Sequence, residues 1–234
     1  MIFRCSKSLN TSFSYLLEIK MALGILRGLV SSQFENRNIG LGFLFVLLPI
    51  ALLSMLPVIF GLSLDLPAVI FFAVRDIVYW ILASVLMYLL LLAFKGQSAS
   101  GRLPSVMSAY AVNSLIIFIA GLLMFLAFLI AVPSLFTTIA SLEGIITPAE
   151  LAVAISGIPI PSDAVLWTLL MFLLVLGIVT IFCGLYVIFK IGNLVRDSGR
   201  FSNWVFVVVF LGLSILLNYV LNEALGFVFS FWPK

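Results

Sequence analysis

Residues 164–189 read AVLWTLLMFLLVLGIVTIFCGLYVIF, and this stretch carries no charged side chain. A helix of this length covers about 39 Å at 1.5 Å per residue, which exceeds the roughly 30 Å hydrocarbon core of a bilayer. Its apolar residues are continuous and do not alternate with polar ones, so the pattern predicts a helix and not a barrel strand. We therefore interpret residues 164–189 as a membrane span.

Four further apolar runs of membrane-spanning length precede or follow this one, at about residues 39–61, 67–94, 109–132 and 203–222. Of the 234 residues in the chain, 64% are hydrophobic and only 9% are charged, whereas a soluble domain has about 25% charged residues. The sequence thus predicts an all-α, polytopic membrane protein in which residues 39–232 form a bundle of five transmembrane helices.

The basic residues predict the orientation of this bundle, because Lys and Arg in short loops stay on the cytoplasmic side. Ten of the twelve lie before the first span or in the loops that follow the second and fourth spans: Arg4, Lys7, Lys20, Arg27, Arg37, Lys95, Arg102, Lys190, Arg196 and Arg200. The other two connections carry only acidic charges: Asp65, Glu143, Glu150 and Asp163. We expect the N-terminus in the cytoplasm and the C-terminus outside or in a lumen.

The first segment, residues 1–38, is predicted to be cytoplasmic and to contact the inner membrane surface. Between residues 14 and 34, apolar side chains recur at helical spacing among charged ones, which is typical of an amphipathic interfacial helix. The alternative is a start at Met21, which would shorten this helix.

Composition excludes several kinds of site. The chain has no histidine and only two cysteines, Cys5 and Cys183, so it lacks the common metal ligands and the usual general base. No glycine loop precedes a lysine in the phosphate-binding pattern, and the basic residues form no patch for nucleic acid. We expect a protein that is not an enzyme, with no cofactor, no bound metal and no nucleic-acid partner.

Polar side chains at the spans are the functional candidates, since a charge inside a bilayer costs several kcal/mol unless it is paired or hydrated. The candidates are Arg75, Asp76, Asn113, Ser114, Asn218, Asn222 and Glu223. Neighbours in a helix are about 100° apart, so the spacing of Arg75 and Asp76 does not imply a salt bridge. This pair is either an anchor at the outer interface or a buried, substrate-facing group.

Asn218 and Asn222 lie one helical turn apart, so both share a face of their span. They either hydrogen-bond to another span or face a polar pathway together with groups such as Asn113 and Ser114. The tryptophans are predicted to be anchors at the membrane interface: Trp80, Trp167, Trp204 and Trp232.

Residues 89–115, LLLLAFKGQSASGRLPSVMSAYAVNSL, resemble the Yip domain, the membrane domain of the Ypt/Rab-interacting proteins. In that family a span ends in a glycine-bearing cytoplasmic turn, and a short helix leads to a Gly-Tyr pair followed by a proline. Gly96 and Gly101 match the turn and Tyr110 matches the tyrosine, whereas Ala109 replaces the glycine and Asn113-Ser114 replace the proline region.

The resemblance implies five spans with a cytoplasmic N-terminus, and for eukaryotic members it implies vesicle traffic and contact with Rab GTPases. The chain lacks the Asp-Leu-Tyr-Gly-Pro motif of those members, so Rab binding is not expected. It looks more like the compact prokaryotic members. The implied location is the plasma membrane in a prokaryote and the endoplasmic reticulum or Golgi in a eukaryote.

The sequence is compatible with two functions. The first is a non-catalytic scaffold or factor in membrane organisation or trafficking, embedded in the lipid bilayer, which binds protein partners or a second copy of itself through helix faces and its basic cytoplasmic surface. The alternative is a small transporter or channel component with a polar intramembrane pathway. A pathway requires the polar candidates to converge on one cavity, whereas a scaffold lets them scatter.

Overall fold

The computed structural model describes residues 3–59, 66–133, 162–195 and 203–230, and the side chains of residues 20–52, 54–55, 66–67, 69–96, 99–133, 162–195 and 203–227. Every element in these ranges is a helix: α1 Phe3–Asn36, α2 Ile39–Ile59, α3 Leu66–Lys95, α4 Leu103–Tyr110, α5 Val112–Ala131, α6 Asp163–Leu194 and α7 Asn203–Ser230. A 3-10 turn, Gly96–Ala99, follows α3 directly. The predicted outer connection at residues 134–161, which contains Glu143 and Glu150, lies outside the described residues.

Within these ranges, four segments are long and apolar enough to cross a membrane: Val69–Lys95, Leu103–Ala131, Asp163–Leu194 and Asn203–Phe227. The chain is therefore a helical membrane protein, as the composition predicted. The described apolar stretch of α2, Ile39–Leu52, is shorter than these four.

The helices extend beyond the predicted spans. α4 begins at Leu103, before the predicted start of the third span, and the helix is interrupted at Ala111 before α5 continues it. α6 continues past Lys190, and Ile191 beyond it is fully buried. The apolar run marks only the part of a helix that fits the lipid core, whereas backbone hydrogen bonds and tertiary packing determine where the helix ends.

The C-terminal half of α1 packs into the bundle. Val30, Gln33 and Phe34 are buried, and this helix contacts α4 and α6. Leu26 and Leu29 complete the same face at spacings of three and four residues. The sequence predicted only a surface helix, because amphipathic spacing does not distinguish a face that meets lipid from one that meets other helices.

A buried serine connects α4 to the chain segment around the α1–α2 junction. The Ser108 hydroxyl lies 2.7 Å from Gln33 Oε1 and 3.0 Å from the Asn38 carbonyl oxygen. Nearby, the Arg102 guanidinium lies 5.8 Å from the centre of the Phe34 ring. These contacts give the buried Gln33 amide a partner and fix α1 against α4.

The apolar core is concentrated where α3 and α6 end and α7 begins. Leu91, Val106, Ile191 and Phe206 are among its fully or almost fully buried side chains. Toward the opposite ends of α5, α6 and α7, large apolar side chains are exposed, for example Ile130, Met171 and Phe227, which is expected of a surface that faces lipid. The bundle is therefore packed most tightly at the end that the charges predict to be cytoplasmic.

Candidate functional site

A cavity of about 250 Å³ lies where α2, α3, α4, α5 and α7 meet. Its polar lining residues are Arg75, Asp76, Asn113, Ser114 and Asn218. The remaining lining residues are apolar or aromatic: Val46, Pro49, Tyr79, Trp80, Tyr110 and Ile117. The structure thus brings five of the seven polar candidates to one place.

Arg75 and Asp76 form an ion pair in the wall of this cavity. Nε and Nη2 of Arg75 donate to the same Asp76 oxygen, Oδ1, at 2.9 and 2.7 Å. The guanidinium also lies 5.2 Å from the centre of the Phe72 ring. The side-chain exposures are 31% for Arg75 and 33% for Asp76, so the pair is half-buried.

The spacing of Arg75 and Asp76 did not by itself imply this ion pair, but the structure forms it. The angle of about 100° between neighbours describes the directions of the Cβ atoms. The arginine side chain is long enough to fold back and bring its guanidinium to the neighbouring carboxylate, which a shorter basic side chain could not do.

The depth of the ion pair follows from its position along α3. Arg75 lies twenty residues before Lys95 and nine after Leu66, which correspond to about 30 Å and about 14 Å of helix. The pair therefore lies inside the candidate span Val69–Lys95 and faces a cavity. At about 30 Å from Lys95, the pair also lies at the outer end of a hydrocarbon core that is roughly 30 Å thick, so the anchor and the substrate-facing alternatives both stay open.

Aromatic side chains of α3 and α4 also form part of the cavity wall. The Tyr110 side chain hydrogen-bonds with those of Tyr79 and Asn113, and its ring packs edge-on against Phe210 with centroids 5.7 Å apart. The indole N–H of Trp80 donates to the Met107 carbonyl oxygen at 3.1 Å. These four contacts are directional, which fixes the shape of the cavity.

Trp80 is a correction to the sequence prediction, because it is 4% exposed and part of the core and not an interface anchor. Trp167 and Trp204 are exposed, at 66% and 62%, which agrees with the anchor role. Trp232 lies outside the described residues.

Gly184 of α6 lies next to Asn113, which lines the cavity. A Cβ atom at this position would lie 3.0 Å from Asn113 Oδ1, whereas a Cβ at Gly177 on the same helix would meet nothing within 4 Å. The glycine therefore leaves the space that the Asn113 amide occupies. Gly184 does not line the cavity, but it determines where a lining residue lies.

We predict different effects of alanine at these two glycines. Gly177→Ala should raise the free energy of unfolding by about 0.5 to 1 kcal/mol, because alanine has the higher helix propensity. Gly184→Ala should show no gain, because its methyl group displaces the Asn113 amide. The free energy of unfolding is measured in a mixed detergent titration. Adding Asn113→Ala to Gly184→Ala should restore the gain in this free energy, because the amide that the methyl group meets is removed. An equal gain at both glycines would contradict the described contact.

Two of the candidates lie away from this cavity. Asn222 and Glu223 of α7 are exposed and are not among the lining residues. Ser214, which continues the predicted polar face, is buried and its hydroxyl donates to the Leu211 carbonyl of its own helix at 3.0 Å. Only Asn218 of this face reaches the cavity, since Asn222 is one turn further along α7.

The residues that carry the family resemblance fall into two groups. Gly96 and Gly101 are exposed in the turn between α3 and α4 and have positive φ values of 60° and 69°, a conformation that favours glycine. The Gly101 N–H donates to the Tyr88 hydroxyl at 3.3 Å. Both glycines therefore shape a turn, while Tyr110 lines the cavity.

Sequence reasoning missed Tyr79 and Gly184. Tyr79 lies three residues after Asp76 and four after Arg75, so helical spacing already places it on their face. No signal in the sequence shows which glycine of α6 meets Asn113, because that depends on how two distant helices pack.

The surface of the cavity is mainly apolar, with polar groups contributed by several helices. It combines one cation, one anion, two amides and three hydroxyl groups with aromatic rings. In the described part of the chain, no three His, Cys, Asp or Glu side chains gather in a way that suits a metal ion. The arrangement can hold a small polar molecule by charge-assisted hydrogen bonds.

No family model, curated protein or solved structure matches this chain. The resemblance to the Yip domain stays a prediction.

Proposed function

We propose that this protein is a membrane-embedded solute-binding protein, a component of a small transporter or channel, and that the cavity is its binding site. The observation that carries the proposal is the convergence of Arg75 and Asp76 from α3, Asn113 and Ser114 from α5, and Asn218 from α7 on one cavity. Polar groups that serve only local packing have no reason to share a cavity. In apolar helices, such a gathering of costly side chains favours a role in ligand or ion passage.

The size of the cavity limits the solute. Its volume of about 250 Å³ equals the share of about eight water molecules in the liquid. Pockets for drug-sized ligands are larger, roughly 300 to 1,000 Å³. The proposed solute is therefore a small polar molecule.

The test of this proposal is solute binding to the purified chain in lipid nanodiscs. A panel of small amino acids, amines, organic acids and polyols is screened by thermal shift, and binding is then followed by tryptophan fluorescence, since Trp80 lines the cavity. We expect at least one solute to bind the wild type and to bind Asn218→Leu about tenfold more weakly.

Asn222→Leu is the matched control for this experiment. It makes the same change one turn away on α7, at an exposed position outside the cavity, and should bind as the wild type does. If no solute in the panel binds, or if both leucine variants bind equally well, the proposal is wrong.

The membrane topology that we propose has five spans, with α2 as the first and the N-terminus in the cytoplasm. α2 has 21 residues and contacts α3, α4 and α5, which fits a helix that runs alongside them. The charge distribution supports the orientation, since the basic residues cluster on one side of each predicted span.

Cysteine labelling tests whether α2 crosses the membrane. Arg37→Cys, Ser100→Cys and Ser162→Cys are placed singly in a Cys5→Ser, Cys183→Ser background and exposed to a membrane-impermeant maleimide in intact cells. Five spans predict that only Ser162→Cys reacts before the membrane is permeabilised. Opposite behaviour of Arg37→Cys and Ser100→Cys would show that α2 does not cross.

The scaffold function is the second proposal. The structural observation that favours it is the exposure of Lys20, Arg27 and Arg37 in and just after α1, which gives a basic surface of the kind that acidic protein partners or anionic lipid bind. Its test is crosslinking in native membranes followed by mass spectrometry. A reproducible stoichiometric partner would support a scaffold, and a particle that contains only this chain would contradict it.

A further inference from the structure

We infer that the solute is a small zwitterion with a carboxylate and an ammonium group close together, and that it binds by exchanging the Arg75–Asp76 ion pair for contacts to its own two charges. This inference rests on the proposed function and narrows it to one class of solute. It follows from the charge balance, the geometry of the pair and the size of the cavity.

The charge balance argues against a solute with net charge. Among the lining residues, Arg75 supplies the one full positive charge and Asp76 the one full negative charge. Their sum is zero. An anion or a cation would therefore add an uncompensated charge to a half-buried site in a candidate membrane span. A zwitterion leaves the net charge of the filled cavity at zero.

The geometry of the pair suits a solute that carries two opposite charges. Both donors of Arg75, Nε and Nη2, converge on Asp76 Oδ1, so this contact does not engage Nη1 of the guanidinium or Oδ2 of the carboxylate. About a third of each side chain is exposed. A solute carboxylate can pair with the guanidinium fork while a solute ammonium group pairs with the carboxylate. A neutral solute can replace neither charge.

The remaining walls suit the rest of such a molecule. The rings of Tyr79, Trp80 and Tyr110 present π faces or edges that accommodate an ammonium group and short apolar substituents. Asn113, Ser114 and Asn218 offer amide and hydroxyl groups on α5 and α7. A volume equal to about eight waters admits an α-amino acid with a short side chain and is too small for a peptide of several residues.

The experiment compares matched solutes that differ in charge. Glycine, L-alanine, L-serine and L-valine are each measured together with the corresponding amide, which is a cation, and the corresponding 2-hydroxy acid, which is an anion. Dissociation constants are measured by calorimetry on the full chain in nanodiscs. We expect at least one amino acid to bind about tenfold more tightly than its amide and its hydroxy acid.

Two results would overturn the inference and leave the proposed function intact. One is an amide or hydroxy acid that binds as tightly as its amino acid. The other is the absence of binding in all three series together with binding of an amine, organic acid or polyol from the wider panel. If nothing in the wider panel binds either, the proposed function itself fails, so the two failures are distinguishable.

Charge variants give a readout that a structural role of the pair would not produce. Asp76→Asn leaves the Arg75 cation and should shift the preference toward the hydroxy acid by about tenfold. Arg75→Gln leaves the carboxylate and should shift it toward the amide by a similar factor. Glu223→Gln, at an exposed position on α7 outside the cavity, should keep the wild-type preference.

A double variant covers the case in which the single variants do not fold. Arg75→Gln with Asp76→Asn keeps the cavity neutral and should bind the amino acid, its amide and its hydroxy acid with dissociation constants that agree within about threefold. A preference for the amino acid that persists at the wild-type level in this double variant would overturn the assignment of the charges to Arg75 and Asp76.

Discussion

The Asp76→Asn variant is expected to lose about 2 kcal/mol of unfolding free energy, because it leaves the Arg75 guanidinium in a membrane span without its counter-ion. Removing one partner of a fully buried ion pair costs about 3 to 5 kcal/mol. The cost is smaller here because the two side chains are 31% and 33% exposed. The remaining effect is still large for a substitution that changes the side-chain volume so little.

The partner variant and the double variant separate this charge effect from a loss of packing. Arg75→Gln should also destabilise the protein, because it leaves the Asp76 carboxylate without its counter-ion. Arg75→Gln with Asp76→Asn should lie within about 1 kcal/mol of the wild type, since no unpaired charge remains.

Unfolding in a mixed detergent titration at neutral pH measures all three variants, with Glu223→Gln as the control at an exposed carboxylate. The double-mutant cycle gives the coupling energy between the two side chains. If the two single effects simply add in the double variant, the ion pair does not contribute to stability in the way described.

Apolar runs were sufficient to predict the long apolar helices α3, α5, α6 and α7, because a membrane span must satisfy its own backbone and exclude charge. α6 illustrates this, since an uninterrupted run of apolar residues corresponds to one continuous helix from Asp163 to Leu194. The predicted helix was too short at its C-terminal end. Residues such as Ile191 lie beyond the charged Lys190, and other helices bury them instead of lipid.

The cavity was only partly predictable. Asn113 and Asn218 were predicted as candidates because they are polar residues within apolar runs. Spacing within one helix could not show that α5 and α7 bring them to the same cavity. Asn222 had the same signal as Asn218 and lies outside the cavity. The prediction for Trp80 failed for the same reason. Tryptophan is a common interface anchor, and only the packing of α3 against α4 buries this ring.

Gly42 shows how close packing of helices determines the cavity walls. A Cβ atom at Gly42 would lie 3.3 Å from both Ala111 Cβ and Ser108 Cα, and 3.5 Å from Trp80 Cζ2. Ala111 and Ser108 are fully buried, and the Ser108 contact is to backbone, which cannot rotate out of the way. α2 therefore lies against the junction of α4 and α5 at a distance that only a very small residue permits.

Gly42→Leu is expected to destabilise the protein by about 3 kcal/mol, at the upper end of the usual cost of overpacking. The leucine side chain has to separate α2 from α4, while Gly42→Ala requires a shift of only a few tenths of an ångström and should be close to neutral. Gly40→Leu is the matched control on the same helix, because its position is exposed and its Cβ would meet only the Asn38 side chain, at 3.5 Å.

The same substitution is expected to abolish solute binding. Val46 and Pro49, which line the cavity, follow Gly42 by four and seven residues and so lie on the same face of α2. A displacement of this face opens the cavity wall and moves Trp80, whose fluorescence emission should shift to longer wavelength in Gly42→Leu and not in Gly40→Leu. Equal stability and equal emission in the two leucine variants would show that α2 does not pack against α4 and α5 as described. A destabilised Gly42→Leu that still binds solute at the wild-type affinity would instead separate the bundle packing from the cavity and contradict the binding site proposed for it.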